Sequence, residues 1–214
     1  MKYKAVIFDL DGTLLDTLDD LKNSVNYALE ACGYPLRTKD EVRGFVGNGI
    51  RKLMIRSVPG GENDPKLEEA FSAFKEHYAK HCRVETRPYE GIMPMLEKMQ
   101  SMGLKTAIVS NKADFAVKEL AADFFEGIVS AAIGEREGVS RKPSPDSVFA
   151  ALSEIGEKAE DSVYVGDSEV DIMTAANAGM PCISVSWGFK GREFLEKNGA
   201  STIIDSPDEI FDLL

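Results

Sequence analysis

A run of apolar residues, Ala5 to Phe8, leads straight into Asp9, and Asp11 follows two positions later in the stretch VIFDLDGTLLDT. Two carboxylates that close repel each other, and neither is favourable beside a core unless it is compensated. Either a cation sits between them or one of them reacts. In an extended chain, positions i and i+2 share a face about 6.5 Å apart, so the two aspartates can flank one reacting group. Three further stretches carry matching chemistry: Ser110 and Asn111 in SNK, Lys142 in RKPSPD, and Asp167 and Asp171 in GDSEVD. Asp9 and Asp167 can share Mg²⁺, which prefers oxygen ligands and takes one or two carboxylates with waters and a substrate phosphate. Lys142 offers positive charge to a phosphoryl group, Ser110 a hydroxyl donor, and the backbone near Asn111 further N–H groups. Phosphoryl transfer is mostly positioning and charge neutralisation, which this inventory suits.

These residues gather only if the elements between them form one sheet. Short apolar runs recur at 4–8, 105–109, 127–133, 162–165, 182–185 and 201–204, separated by helical stretches. Continuous apolar strands alternating with helices predict an α/β fold, a Rossmann-like parallel sheet with helices on both faces. Ligands of such sheets bind outside the carboxyl ends of the strands, where Asp9, Ser110 and Asp167 are expected. The helices have readable ends. Met95, Leu96, Met99 and Met102 share one face of a helix stopping at Gly103 and read as core filling. Ser144 is expected as an N-cap with Pro145 at the first helical position, and Gly156 and Gly179 close two further helices.

Roughly ninety residues separate the first two strands, where a parallel crossover needs only about a dozen or more. That insert has helical patterns of its own. Thr17 with Asp20, and Thr38 with Glu41, resemble capping boxes. Leu18, Leu21, Val25, Ala28, Leu29 and Cys32 form one stripe, and Leu67, Phe71, Phe74, Tyr78 and Cys82 another. The expected organisation is an α/β core domain over 1–16 and 86–214 with an all-helical cap domain over 17–85. His77 and His81 read as solvated cap residues rather than a zinc pair, because no third ligand stands at clear spacing. Gly44, Gly47 and Gly49 read either as a helix–helix turn needing positive φ or as an anion cradle, with Arg51 and Lys52 beside them. Trp187 and Gly188 read as lining of the site's mouth or as rim packing.

Bulk composition excludes several classes. The chain has 214 residues, 43% hydrophobic and 29% charged, as in an ordinary globular protein. A net charge of −11 argues against a nucleic-acid binder, since phosphate backbones need Lys and Arg. No run of about 18 apolar residues suggests a transmembrane helix, and the N-terminal residues read as a strand rather than a signal peptide. Cys32, Cys82 and Cys182 form no CxxC pattern and read as reduced thiols of a cytoplasmic protein.

DLDGTLLDT, SNK, RKPSPD and GDSEVDI, in this order, resemble the four motifs of the haloacid dehalogenase superfamily, over the whole chain and with a helical C1-type cap between the first two. The resemblance implies that Asp9 is the nucleophile that becomes an aspartyl-phosphate and a Mg²⁺ ligand. It implies that Asp11 is the general acid and then base, its carbonyl also reaching the metal, and that Ser110, Asn111 and Lys142 bind phosphate. Asp167 resembles the remaining direct metal ligand, and Asp171 the acidic partner of a metal-bound water or of Lys142; the alternative for Asp171 is an exposed first-turn helix acid. In the cap, Gly47, Asn48 and Gly49 followed by Arg51 and Lys52 look like the substrate-facing loop of phosphoglycolate phosphatase-like members. The implied activity is Mg²⁺-dependent hydrolysis of a small phosphorylated metabolite, with phosphoglycolate the single substrate it points to. A sugar phosphomutase resembling β-phosphoglucomutase is the rival, weakened because that enzyme's usual cap histidine is absent from DTLDDLKN. A non-catalytic binding protein on the same fold would have no need of both Asp9 and Asp11. The reading involves no nucleic acid and no membrane, and suits a monomer or a dimer.

Overall fold

The computed structural model describes residues 2–47 and 49–214. In chain order the elements are β1 (Ala5–Phe8), β2 (Leu15–Asp16), α1 (Leu18–Ala31), α2 (Lys39–Phe45), α3 (Ile50–Ser57), α4 (Leu67–His81), β3 (Arg87–Pro88), α5 (Ile92–Ser101), β4 (Lys105–Ala113), α6 (Asp114–Phe125), β5 (Ala131–Glu135), α7 (Asp146–Ile155), β6 (Ser162–Gly166), α8 (Glu169–Asn177), β7 (Cys182–Val185), α9 (Arg192–Lys197) and β8 (Ile203–Ile204). They divide into two compact units, Met1–Leu15 with Pro88–Leu214, and Asp16–Arg87. Among the described residues no helix is long and apolar enough to cross a membrane.

The first unit is built on a six-stranded sheet in the order β5-β4-β1-β6-β7-β8, with every pairing parallel. Strand alternation gives it two cores. Val6 and Phe8, Ile108, and Val163 and Val165 join one apolar cluster with Leu96, Met99 and Leu120. Ala5 and Ile7, Ala107 and Val109, and Tyr164 join the other with Val148, Leu152 and Ala175. Both faces are therefore buried, which is why these strands read as unbroken apolar runs. Asp9 continues the alternation of Ile7 and so emerges on the face of Tyr164.

Several local expectations fail. The second long strand does not end at Val109 but continues to Ala113, with a register shift against β5 between those residues. β5 starts at Ala131 rather than Gly127, because a turn with Gly127 at φ 74° comes first. β8 covers only Ile203 and Ile204 of the 201–204 run. At α7 the N-cap is Pro145 rather than Ser144, whose hydroxyl donates to Asp146 Oδ1 (2.9 Å) instead of accepting from the backbone.

The second unit is helical, and α1 buries the whole expected stripe from Leu18 to Cys32. Its N-terminal capping box does not form. Thr17 makes no side-chain cap bond, and Asp20 instead accepts from the Glu85 N–H (3.0 Å), the Thr86 N–H (2.9 Å) and the Thr86 hydroxyl (2.8 Å). The buried carboxylate thus staples the start of α1 to the end of the same unit. The box of Thr38 and Glu41 does form at α2. On α4, Leu67, Phe74 and Tyr78 are buried, but Phe71 is only half-buried under the cations of Arg51 and Lys75. His77 is not a freely solvated side chain: its Nδ1 lies 3.0 Å from the Ser24 hydroxyl and its ring stacks between Tyr27 and His81.

Candidate active site

Asp9 stands at the carboxyl end of β1, and its N–H donates to the Val165 carbonyl (2.9 Å), so the strand pairing holds its backbone. Asp167 stands just past β6 and Lys142 ahead of α7. Lys142 is buried, and its ammonium donates to Asp9 Oδ1 (2.7 Å), Asp171 Oδ1 (2.8 Å) and the Tyr164 hydroxyl (3.1 Å). An ammonium has three hydrogens, and these three acceptors match them. The Tyr164 hydroxyl in turn donates to Asp171 Oδ1 (3.0 Å), while Asp171 Oδ2 accepts from the Ser168 N–H (3.1 Å) and hydroxyl (2.6 Å) as the capping box of α8. Asp171 is therefore a buried structural partner of Lys142, not an exposed helix acid.

Three side chains within the irregular stretch of β4, between Val109 and Ala113, complete the frame. Asn111 grips the Lys142 backbone at both ends: its Nδ2 donates to the Lys142 carbonyl (3.1 Å), and its Oδ1 accepts the Lys142 N–H (2.8 Å). Its amide is thus spent on placing Lys142 rather than turned to a ligand. The Ser110 hydroxyl oxygen accepts the Lys112 N–H (3.2 Å), which leaves its proton for a ligand. Lys112 Nζ donates to Asp11 Oδ1 (2.6 Å), with the lysine side chain 10% exposed.

The electrostatics are those of a site short of positive charge. Burial pushes Asp9 up to about 7, against the pull of Lys142, and the Asp171 charge adds to the rise. Burial likewise holds Asp167 well above the usual carboxylate range, reinforced by Asp171 and Asp9. Burial pulls Lys142 down, but Asp171 and Asp9 outweigh it and keep the ammonium charged well above its ordinary value. Oxygens of Asp9, Asp167 and Asp171 lie within 4.8 Å of one another, so three buried carboxylates face one buried ammonium. A divalent cation fits that excess. Lys142 holds Oδ1 of Asp9 and the Phe189 N–H holds Oδ2 of Asp167 (2.7 Å), so the protein fixes one oxygen of each carboxylate. The donors are hard carboxylate oxygens, the set that Mg²⁺ accepts. Gly12, at φ 90°, and Gly188 line Asp167 so closely that a Cβ on either would collide with its carboxylate or methylene. Trp187 beside them donates its indole N–H to the Thr13 carbonyl (3.0 Å), a packing role at the rim.

The cap candidates lie in the helical unit and are held differently. Arg51 pairs with Glu68 and lies 5.3 Å over the Phe71 ring, and Lys52 is 3.9 Å from Glu62; both cations are half-exposed. Gly47 and Gly49 take φ of 125° and 85°, as a turn needs, and Asn48 lies outside the described residues. Arg56 donates to the Phe45 (2.6 Å) and Gly47 (3.0 Å) carbonyls and so ties this turn to α3. Sequence reasoning missed Arg56, Tyr164 and Lys112. Tyr164 had one available signal, a polar handle in an otherwise aliphatic strand.

Residues 6–185 match the family of haloacid dehalogenase-like hydrolases. A phosphoglycolate phosphatase of Pseudomonas syringae pv. syringae is 33% identical, covering 94% of this chain and 76% of the relative. An N-acetylmuramic acid 6-phosphate phosphatase of Pseudomonas aeruginosa is 31% identical, covering 100% of this chain and 96% of the relative. A crystal structure from Lactobacillus delbrueckii subsp. bulgaricus, provisionally named a phosphoglycolate phosphatase, superposes with a TM-score of 0.94 at 35% identity, covering 100% and 98% of the two chains.

Proposed function

The chain belongs to the haloacid dehalogenase-like hydrolase family, and from that premise we propose that it is a Mg²⁺-dependent phosphomonoesterase acting on a small phosphorylated metabolite. The observation that carries the reading is the buried frame in which Lys142 bridges Asp9 and Asp171 while Asp167 brings a third buried carboxylate within 4.8 Å of the other two. Asp9 is the nucleophile. Its free carboxylate oxygen attacks phosphorus, the bond to the leaving oxygen breaks, and Asp9 becomes an acyl phosphate. Lys142 holds the other oxygen and so fixes the direction of attack, and its charge lies beside whatever phosphoryl group Asp9 carries. Asp11 gives the leaving oxygen a proton and then takes one from the water that cleaves the acyl phosphate. The Ser110 hydroxyl donates to the phosphoryl oxygens. Asp9 and Asp167 hold the Mg²⁺, which when bound neutralises charge on the phosphoryl group.

The helical unit serves as the cap, with Gly47, Asn48, Gly49, Arg51 and Lys52 selecting the substrate. Phosphoglycolate is the first candidate. N-acetylmuramic acid 6-phosphate is the second, favoured by the near-complete coverage of the relative named for it. Both substrates carry a carboxylate besides the phosphate, so a cation apart from Lys142 would recognise either. Three free cysteines suit a reducing compartment and support a cytoplasmic location.

A phosphate-release panel tests the reading: phosphoglycolate, N-acetylmuramic acid 6-phosphate, hexose phosphates, nucleotides and pyrophosphate, with Mg²⁺, with Ca²⁺ and with chelator. Hydrolysis of a monoester with Mg²⁺ but not with chelator or Ca²⁺ is expected, since Ca²⁺ takes more ligands at longer distances. Full activity in chelator, or none on any monoester, contradicts it. Isomerisation of glucose 1-phosphate without phosphate release would favour the mutase.

A further inference from the structure

The lysine of the SNK stretch has no part in the scheme above, yet it is built into the site beside Asp11. Its side chain is 10% exposed, a rare place for a lysine, and its ammonium lies 2.6 Å from Asp11 Oδ1. Its backbone is fixed from both sides. The Lys112 N–H is taken by Ser110 Oγ (3.2 Å), and a Cβ on Gly134 would sit 2.6 Å from the Lys112 carbonyl oxygen, so only glycine lets β5 approach this closely. Asp114, two residues on, accepts the Gly134 N–H (2.9 Å) and seals the same join. The irregularity in β4 between Val109 and Ala113 is where the strand re-aims its side chains. Asn111 and Lys112 turn in succession to the Lys142 backbone and to Asp11.

We propose that Lys112 is the positioning residue of Asp11, holding one carboxylate oxygen so that the other is presented to the leaving oxygen of the substrate. Asp9 and Asp11 carry the same functional group two residues apart, and their different jobs need different anchors. Lys142 anchors Asp9, and Lys112 anchors Asp11. A lysine is suited to this, because it grips one oxygen as a point charge and leaves the second free, where a bidentate arginine would take both.

The inference rests on the reading of Asp11 as general acid, and the test separates the two. kcat/KM is measured for ethyl phosphate, whose alkoxide needs a proton to leave, and for para-nitrophenyl phosphate, whose phenolate leaves largely unaided. The proteins are wild type, Asp11→Asn, Lys112→Met and the double variant, at saturating Mg²⁺, with thermal melts to verify folding. Lys112→Met is expected to lose ~10- to 100-fold on ethyl phosphate and under ~3-fold on para-nitrophenyl phosphate, a part of the usual acid–base contribution. In the Asp11→Asn background, Lys112→Met should cost almost nothing more on ethyl phosphate, because the group it positions is already disabled. Equal losses on both substrates for Lys112→Met, or a loss that multiplies with that of Asp11→Asn, would show that Lys112 serves the phosphoryl group itself and overturn the proposal. A wild-type-like Lys112→Met beside an Asp11→Asn that shows the substrate split overturns it alone. Equal losses on both substrates for Asp11→Asn remove the general acid and the proposal together. If Lys112→Met fails to fold, Lys112→Gln is read by the same criteria.

Discussion

Two sets of charged side chains, one at the strand ends of the α/β unit and the other Arg51 and Lys52 of the helical unit, are held in opposite ways. Lys142, Asp9, Asp167 and Asp171 are almost wholly buried, and short bonds fix each of them from elements far apart in sequence. Arg51 and Lys52 are half-exposed and pair with glutamates of their own unit, Glu68 and Glu62. Buried charges are costly to leave unpaired, so each carboxylate in the first set implies a partner or a ligand. Exposed pairs are weak and exchange freely, so cations in the second set can release their glutamates to a substrate at little cost. The first arrangement suits the proposed reaction centre, which must not move, and the second the proposed selector, which can.

The comparison is broken most sharply at Asp9. Asp9→Asn should reduce turnover to the background of a phosphate-release assay while the far-ultraviolet spectrum stays native, because Lys142 keeps Asp171 and Tyr164. Substantial turnover in the purified variant would refute a covalent role. Next in size is a stability contrast. Lys142→Ala strands Asp9 and Asp171 as buried unpaired acids and should cost about 3–5 kcal/mol in chemical denaturation. Arg51→Ala should leave the denaturation midpoint unchanged within error, since its pair with Glu68 lies at the surface.

A pH titration of stability sharpens the same contrast. In chelator, Asp9 is raised by burial from an unfolded value of 3.8 to about 7, so between those values the folded state holds a proton that the unfolded state has lost. Its contribution to stability is therefore greatest at low pH and is lost as pH rises from about 4 to 7. Melting in chelator should show the midpoint falling over that interval, and excess Mg²⁺ should oppose the fall near pH 7 by binding the ionised folded state. A chelator-treated protein whose midpoint rises over that interval would mean that Asp9 is not held protonated by burial. The smallest expected effect lies in the cap. Arg51→Ala or Lys52→Ala should lower kcat/KM for phosphoglycolate by ~10-fold or more and leave ethyl phosphate nearly unchanged, as for loss of one hydrogen bond to a charged group. Equal changes on both substrates would return these cations to the surface.

The strands were legible because a doubly covered parallel sheet writes itself as unbroken apolar runs, and Asp9 and Asp167 were legible as carboxylates at the ends of such runs. Asn111 was singled out for the backbone N–H groups near it, whereas its side-chain amide clamps the Lys142 backbone, a bond between residues 31 apart that no local pattern announces. Thr17 and Asp20 have the spacing of a capping box, yet Asp20 is claimed by Glu85 and Thr86, 65 and 66 positions away. Tertiary partners override local motifs most easily where the acid is buried. The extension of β4 to Ala113 was hidden for a similar reason, since it depends on the close approach of Gly134 to Lys112 and Asp114. Tyr164 passed as part of the 162–165 apolar run, because its hydroxyl partners, Lys142 and Asp171, come from two other segments.

The central claim is that Asp9, and not another carboxylate of the cluster, carries the phosphoryl group. Borohydride reduces an acyl phosphate to the alcohol, so it converts a phosphorylated aspartate to homoserine and leaves free carboxylates intact. Wild type and Asp11→Asn, the latter expected to hydrolyse the intermediate slowly, are quenched during turnover of para-nitrophenyl phosphate, treated with borohydride and mapped by peptide mass. The account predicts homoserine at position 9, more of it in Asp11→Asn than in wild type, and none when substrate is omitted. Homoserine at position 11, 167 or 171, or steady turnover with no residue converted, would contradict it.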